Sequence, residues 1–475
     1  MNTQEPIITR FAPSPTGELH IGSARTALFA YLAAKNTGGK FYLRIEDTDR
    51  TRYVEGSEFR VIESLDWLGF AIENRDNIVF QSKRLPIYKK HAFDLVKAGK
   101  AYVCTCTKEH LTEARATQEA AGKLPRYDGH CRELGLDPEK QEEGTFVIRL
   151  KMPENGKVVV NDLVRGDVEF DLSLFDDQIL FKSDGYPTYH LCSIIDDHEM
   201  EITYVLRAEE WLSSTPKHLV LYEAFGWKPP KFGHFSMILA TDHSKLSKRH
   251  GAVSIEEFRR LGYLKEAIIN FTALLGWNPK TERELFTLDE LVEEFKIVNL
   301  NKAPAIFDIN KLNSFNEHYI VEKVKEAPAE MVELLKEYSL DTISDTELDL
   351  IGRGGHTTLK EAADYILKLR KTPEYDSSIL VFKKSDKDKT LTGLTASLDK
   401  LSKIDKWETD TLQEALSSVV ADNALTNGDV FWPVRVALSG AEKSPSPVEL
   451  LLALGKNESI KRIETALEKV KQIAI

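Results

Sequence analysis

The stretch Phe11-Ala12-Pro13-Ser14-Pro15-Thr16-Gly17-Glu18-Leu19-His20-Ile21-Gly22 constrains this chain more than any other. Before it, Ile7-Ile8-Thr9-Arg10-Phe11 reads as a short strand. After it, Ser23 to Lys35 reads as a helix with Ala24, Ala27, Leu28, Tyr31 and Leu32 on one side, stopped by Gly38-Gly39. The stretch is therefore a strand-to-helix turn. Pro13 and Pro15 stiffen it, and Gly17 and Gly22 let backbone approach a ligand. A helix start at such a turn is an anion site, and His20 is placed to donate to a phosphate whose charge grows in a transition state. Alone, the turn fits a proline-rich loop with a surface histidine equally well.

The alternation of strand and helix continues. Lys40 to Ile45 has period two, and a helix with Phe59, Ile62, Leu65 and Leu68 on one face follows. Ile202 to Arg207 is a second strand of this kind. Ser214-Thr215-Pro216 opens a helix that stops at Gly226, and His234 to Leu239 is the last strand. The expected fold class is α/β, a Rossmann-like parallel-sheet catalytic domain split by an α+β insertion and followed by an all-α C-terminal region. The capping box Ser254-Ile255-Glu256-Glu257 marks where helices take over. Expected segments are 1–100 and 186–251 for the two halves of the sheet domain, 101–185 for the insertion, 252–322 for a helical junction and 323–475 for a helical bundle.

Downstream, Lys245-Leu246-Ser247-Lys248-Arg249-His250-Gly251 puts three cations and a serine into five residues, on a loop able to close over a polyphosphate. A lone charge run is usually a solvated face. Paired with the His-Ile-Gly-Ser turn, it resembles the two ATP signatures of class I aminoacyl-tRNA synthetases. Arg10-Phe11-Ala12-Pro13-Ser14-Pro15-Thr16-Gly17, Arg44-Ile45-Glu46-Asp47-Thr48-Asp49 and Gly185-Tyr186-Pro187-Thr188-Tyr189-His190 narrow the resemblance to bacterial glutamyl-tRNA synthetases. It is dense through about residue 320 and thin beyond.

The resemblance implies activation of L-glutamate by ATP with Mg2+, giving glutamyl-adenylate and pyrophosphate, then transfer to the 3′-terminal adenosine of tRNA(Glu). It implies catalytic roles for His20, Lys245 and Lys248, and an ATP site of Gly17, His20, Ile21, Gly22, Lys245, Leu246, Ser247, Lys248 and Arg249. The glutamate pocket would comprise Arg10, Ala12, Ser14, Glu46, Tyr189, Ser193 and Arg207. Two arginines suit the two carboxylates of glutamate, and Glu46 its ammonium. Structural Arg–Glu pairing at the strand ends is the competing reading of these residues. Asp47, Thr48 and Asp49 would lie near the tRNA terminus, although Thr48 or Asp49 is also a plausible helix cap. The insertion would bind the acceptor stem and the bundle the anticodon.

Cys104-x-Cys106 and Cys131 resemble the zinc module of some relatives, with Tyr127 as fourth ligand and Glu133 as its alternative; three reduced cysteines without metal is the other reading. Cys192 reads as an unrelated buried thiol. Gly355 stands where glutamate-specific relatives often carry arginine, which makes tRNA(Gln) a second candidate partner.

A net charge of −12 weighs mildly against nucleic-acid binding, but a local basic stripe suffices. Four cysteines in 475 residues make no disulfide framework, and no run of eighteen apolar residues exists. The expectations are a cytoplasmic monomer with no membrane partner. The remaining alternatives are a glutaminyl relative, whose anticodon part is β-rich, the short paralogue that glutamylates a queuosine base, a non-catalytic RNA-binding derivative and a small-molecule ligase.

Overall fold

The proline turn joins β1 (Ile8–Phe11) to α1 (Ile21–Asn36) in the computed structural model, which describes residues 5–123 and 125–473. Helix α1 is buried on most sides, and its Ala27, Ala30, Ala33 and Ala34 allow close approach. The Thr9 hydroxyl ties β1 to the Ala30 carbonyl at 2.8 Å. The chain returns through Gly39, where a Cβ would sit 1.9 Å from the Ile7 carbonyl oxygen, into β2 (Lys40–Ile45). Helix α2 (Ser57–Trp67) then leads to β3 (Val79–Phe80). Strands β1, β2 and β3 pair in parallel, with Arg10 opposite Tyr42 and Ile45 opposite Phe80. On α2, Ile62 and Leu65 are buried as the periodicity predicts, but Phe59 is 66% exposed; the apolar stripe is narrower than expected.

Helix α3 (Leu85–Lys97) leads to β4 (Ala101–Cys104), α4 (Lys108–Ala120) and β5 (Val147–Leu150). The hairpin β6 (Lys157–Asp162) and β7 (Gly166–Asp171) and strand β8 (Ile179–Phe181) follow. Strands β4, β5 and β8 form a small antiparallel sheet. The hairpin does not join it: β6 pairs in parallel with a later strand at Phe232, so its end reaches the parallel sheet.

That later part contains α5 (Tyr189–Glu199), β9 (Tyr204–Ala208), α6 (Thr215–Phe225) and β10 (Lys231–Phe235). The Thr203 amide donates to the Ile8 carbonyl at 3.0 Å, bringing β9 to the open side of β1. Parallel strands thus run outward on both sides of a switch point between β1 and β9, where α/β folds open a crevice at their carboxyl ends. The expected last strand, 234–239, is broken: β10 ends at Phe235 and β11 (Ile238–Leu239) pairs with β12 (Ala305–Ile306). Between them lie α7 (Ile255–Leu261), α8 (Lys265–Leu274) and α9 (Leu288–Glu294).

The chain divides into two compact units, one of residues 1–260 and 265–309, the other of 261–264 and 310–475. The second is helical: α10 (Ile309–Glu326), α11 (Pro328–Lys336), α12 (Asp345–Gly352), α13 (Leu359–Arg370), α14 (Lys387–Ser402), α15 (Thr409–Asp422), α16 (Asn427–Ser439) and α17 (Pro447–Lys471). Capping boxes start α12, α16 and α17. Buried Arg462 donates to the carbonyls of Leu438, Leu369 and Lys371, cross-linking its core. Among the described residues no helix is long and apolar enough to cross a membrane.

Candidate active site

A cavity of about 680 Å3 opens at the carboxyl ends of β1, β2 and β9 and the loop after β10. Arg10 and Phe11 reach it from β1, Glu46 from the end of β2, Arg207 and Ala208 from β9, and Met237 from beyond β10. The turn brings Ala12, Pro13, Ser14 and Thr16 to the wall.

At one end stands His20. It caps α1, its Nδ1 accepting the Gly22 amide at 3.1 Å. A neutral ring with Nδ1 so engaged carries its proton on Nε2. The amides of Ile21 and Ser23 are also occupied, by the carbonyls of Val253 and His20, so the backbone donors of this helix start are already paired. Arg25, one turn along α1, lines the cavity while donating to the Leu275 and Ser236 carbonyls, and burial lowers its pKa to about 9.

Lys245 and Leu246 also line the cavity. Lys245 is 75% exposed and only 3.7 Å from the carboxylate of Glu210. Its loop is braced by His250, whose Nδ1 accepts the Ser247 amide at 3.1 Å. The Arg249 Nε is 3.3 Å from His250 Nε2. The side chain of Lys248 lies outside the described part of the structure. Gly17, with φ +139°, sits in the turn, whereas the Ile21 side chain is core.

Around Arg10 and Glu46 the lining is a packed charge network. Arg10 donates from Nε and Nη2 to Asp197 at 2.9 and 3.4 Å, and Arg44 donates to the same carboxylate at 2.7 Å. Arg44 also reaches Glu46 at 3.0 Å and the Ser193 hydroxyl at 3.4 Å. Asp196 takes Gln81 at 2.8 Å, with Arg84 Nε and the Tyr88 hydroxyl each at 2.9 Å. Arg10, Arg44 and Arg84 thus face Glu46, Asp196 and Asp197. Burial pushes the Glu46 carboxyl above its ordinary value. At Asp197 burial acts in the same direction but is outweighed by Arg10 and Arg44, which hold it below.

Arg207 is arranged differently. It is buried, yet no carboxylate pairs with it among the described residues. Its Nε donates to His234 Nε2 at 2.9 Å and its Nη1 to the Tyr189 hydroxyl at 2.8 Å. Its Nη2 donates to Thr215 Oγ1 at 3.0 Å and the Trp211 carbonyl at 3.3 Å. Tyr189 packs at a tilt of 46° against Trp211, with ring centroids 4.6 Å apart. Behind it lie His190 and His218, nitrogen to nitrogen at 2.9 Å; burial holds His190 at about 4.

Thr48 and Asp49 line the cavity. Asp49 caps its own loop, with hydrogen bonds from Thr51 and Arg52 holding it at about 2. Asp47 is buried and takes both donors of Ser82, at 2.8 and 2.5 Å, so its carboxylate organises the loop. Gly355 belongs to the helical unit, has φ +87°, and donates its amide to Glu317 at 2.6 Å.

In the insertion, the sulfurs of Cys104, Cys106 and Cys131 lie within 4.8 Å of one another. The Tyr127 hydroxyl is 3.4 Å from Cys104 and 3.6 Å from Cys106. Glu133 is not in this group; it is exposed and pairs with Lys151 at 2.8 Å. Cys192 is buried against Gln81 and the Thr188 carbonyl.

The family profile "tRNA synthetases class I (E and Q), catalytic domain" matches residues 6–314, and "Anticodon binding domain" matches 330–467. Glutamate–tRNA ligase 2 of Thermoanaerobacter pseudethanolicus is 42% identical over 476 residues, spanning 98% of both chains. The chain belongs to the glutamyl-tRNA synthetase family. Another synthetase of this kind, the glutamate–tRNA ligase of Alkaliphilus metalliredigens, is 40% identical over 98% of this chain and 99% of its own. The crystal structure of a glutamate tRNA ligase from Elizabethkingia meningosepticum in complex with its amino acid matches with a TM-score of 0.87 at 35% identity, covering 98% of this chain and 100% of that one.

Motif and periodicity give no role in the site to Arg44, Asp197, Asp162 or His234. A signal existed for Asp197: Asp196-Asp197 ends the apolar run Leu191-Cys192-Ser193-Ile194-Ile195 of α5, and buried carboxylates demand cations.

Proposed function

We propose that this protein activates L-glutamate with ATP and ligates it to the 3′-terminal adenosine of tRNA(Glu). The observation that carries the choice of amino acid is Arg207. A buried guanidinium with only neutral acceptors retains its charge, and a substrate carboxylate is the partner that repays its desolvation. A glutamine amide brings no charge and leaves Arg207 uncompensated. Tyr189 accepts from Arg207, so its own O–H donates to the same carboxylate. Arg10 has its Nε and Nη2 spent on Asp197 and offers Nη1 to the α-carboxylate, while Glu46 receives the ammonium. Ala12 and Ser14 shape the wall, and Ser193 acts through Arg44.

With glutamate held, its carboxylate attacks the α-phosphate of ATP, and the bond to pyrophosphate breaks. Such transfers need positioning and charge neutralisation. His20 Nε2–H, Lys245 and Lys248 stabilise the phosphoryl oxygens and the leaving pyrophosphate, with Leu246, Ser247 and Arg249 shaping the loop and Gly17, Ile21 and Gly22 the turn. Mg2+ enters with ATP as part of the substrate. The terminal ribose hydroxyl of tRNA then attacks the anhydride, releasing AMP. Thr48 and Asp49 border that approach, residues 101–185 receive the acceptor stem, 252–322 connect, and 323–475 read the anticodon.

Gly355 supports a second substrate. It presents no side chain and has open space where a Cβ would point, so nothing there rejects tRNA(Gln). Aminoacylation with labelled glutamate on separately purified tRNA(Glu) and tRNA(Gln) tests both readings. The expected result is charging of both; charging of tRNA(Glu) alone removes the second reading, and charging of neither removes the first.

The three sulfurs and Tyr127 fit one structural zinc. Zinc–sulfur bonds of about 2.3 Å place tetrahedral ligands about 3.8 Å apart, close to the spacing here. Cys104, Cys106, Cys131 and Tyr127 would hold the ion, which would cross-link the insertion. Metal analysis of protein prepared without chelator should give one equivalent, lost in Cys131→Ser; well under one equivalent in the parent protein refutes the site.

A further inference from the structure

Arg207 is held by a histidine where a carboxylate would be the ordinary partner of a buried guanidinium. His234 lies on β10, directly opposite Arg207 on β9. Its Nδ1 is 2.6 Å from Asp162 Oδ2, and its Nε2 accepts Arg207 Nε–H at 2.9 Å. An Nε2 that accepts has no proton, so the ring is neutral with its hydrogen on Nδ1, donated to Asp162. Asp162 is anchored in turn by the amides of Val164, Arg165 and His234, and the Thr215 hydroxyl also faces Nε2 at 3.3 Å. The other charged neighbour, Arg165, donates to the His234 carbonyl, not to the ring. The result is a chain from carboxylate to imidazole to guanidinium to phenol, Asp162–His234–Arg207–Tyr189, of which only the last two members line the cavity.

We infer that His234 is a positioning residue for glutamate specificity, because its neutral ring fixes Arg207 through Nε without cancelling its charge. A carboxylate in its place would orient the guanidinium equally well but pair with it, and the cavity would lose the cation that prefers glutamate to glutamine. Placing the negative charge of Asp162 one residue further back fixes the tautomer of the imidazole while keeping the anion off Arg207. This rests on the reading of Arg207 as the receiver of the substrate side-chain carboxylate.

The test compares three variants in the aminoacylation assay, measuring KM for glutamate and for ATP and the ratio of glutamate to glutamine used. Arg207→Gln checks the underlying reading. His234→Leu removes the acceptor; His234→Gln restores one, with an amide that donates to Asp162 and accepts from Arg207. For His234→Leu the glutamate KM should rise about ten- to hundredfold, the worth of a hydrogen bond to a charged group, with the ATP KM unchanged. His234→Gln should recover most of that loss and the preference for glutamate. A glutamate KM unchanged in His234→Leu, ATP and glutamate KM raised together, or no recovery in His234→Gln each overturn the positioning role. If Arg207→Gln also leaves the glutamate KM unchanged, the underlying reading of the pocket falls, not this step alone.

Discussion

The two ends of the cavity are built to different rules. Around Arg10 and Arg207, the side chains of Arg10, Arg44, Arg207, Glu46, Asp196 and Asp197 are buried and hydrogen-bonded before any ligand arrives: Arg44 by itself contacts Asp197, Glu46 and Ser193. At the His20–Lys245 end the principal cation stands in solvent, 3.7 Å from its nearest carboxylate. A preorganised end suits recognition of a small ligand, where a displaced donor loses affinity. An open end suits a polyphosphate that must enter and leave as pyrophosphate, with a loop that completes its contacts late. On the proposed reading, specificity and catalysis are carried by differently built parts of one cavity lining.

The contrast is broken most severely at Asp197. Replacing it by alanine leaves Arg10 and Arg44 facing each other without their shared anion, and uncompensated buried charge costs about 3–5 kcal/mol. Thermal or denaturant unfolding of Asp197→Ala should show this loss. A stability change within about 0.5 kcal/mol, as expected of an exposed site, would mean that the network is not load-sharing. Lys245→Ala is the converse. Its stability should stay within about 0.5 kcal/mol of the parent, while kcat should fall about 10²- to 10³-fold if the ammonium acts on the transition state. A large fall in stability, or an intact kcat with only KM for ATP raised, would erase the distinction between the two ends.

The sequence reveals these ends unequally. Arg10, Glu46, Tyr189 and Arg207 were picked out by motif and reach one cavity, because each sits at a strand end or helix start where local pattern fixes its position. Asp162 and His234 are 72 positions apart; their contact depends on hairpin β6–β7 joining β10, and periodicity within a strand says nothing of its neighbour. The break between β10 and β11 was illegible for a related reason, since β11 takes its partner from β12, more than sixty residues later. Phe59 shows the reverse failure: helical spacing placed it on the apolar face, but tertiary packing left it in solvent.

Tyr189→Phe probes the recognition end more gently. It removes a hydroxyl that accepts from Arg207 at 2.8 Å and a donor to the substrate, while the ring keeps its place against Trp211. The expected rise in glutamate KM is about tenfold, the low end for hydrogen bonding to charged groups, with the ATP KM unchanged. A larger effect than that of His234→Leu would shift the positioning role from the imidazole to the phenol.

The smallest expected effect is a pH dependence confined to the same end. Glu46 must be ionised to receive the substrate ammonium, but burial raises its pKa above the ordinary 4.5 despite the opposing pull of Arg44 and Arg10. As pH falls through that raised value the carboxylate takes up a proton, the ammonium loses its counter-ion, and glutamate KM rises. The side chain of free glutamate also protonates, but only near about 4.3, so weakening that begins above this value belongs to the protein. Glu46→Gln should have a raised KM at neutral pH and lack the early part of the acid limb. The Glu46→Gln profile is the internal control, because any other group that titrates, in the protein or in ATP, is common to both proteins. If the acid limb of the glutamate KM is the same in Glu46→Gln as in the parent, the titrating group is not Glu46 and the account of this part of the pocket fails on its finest test.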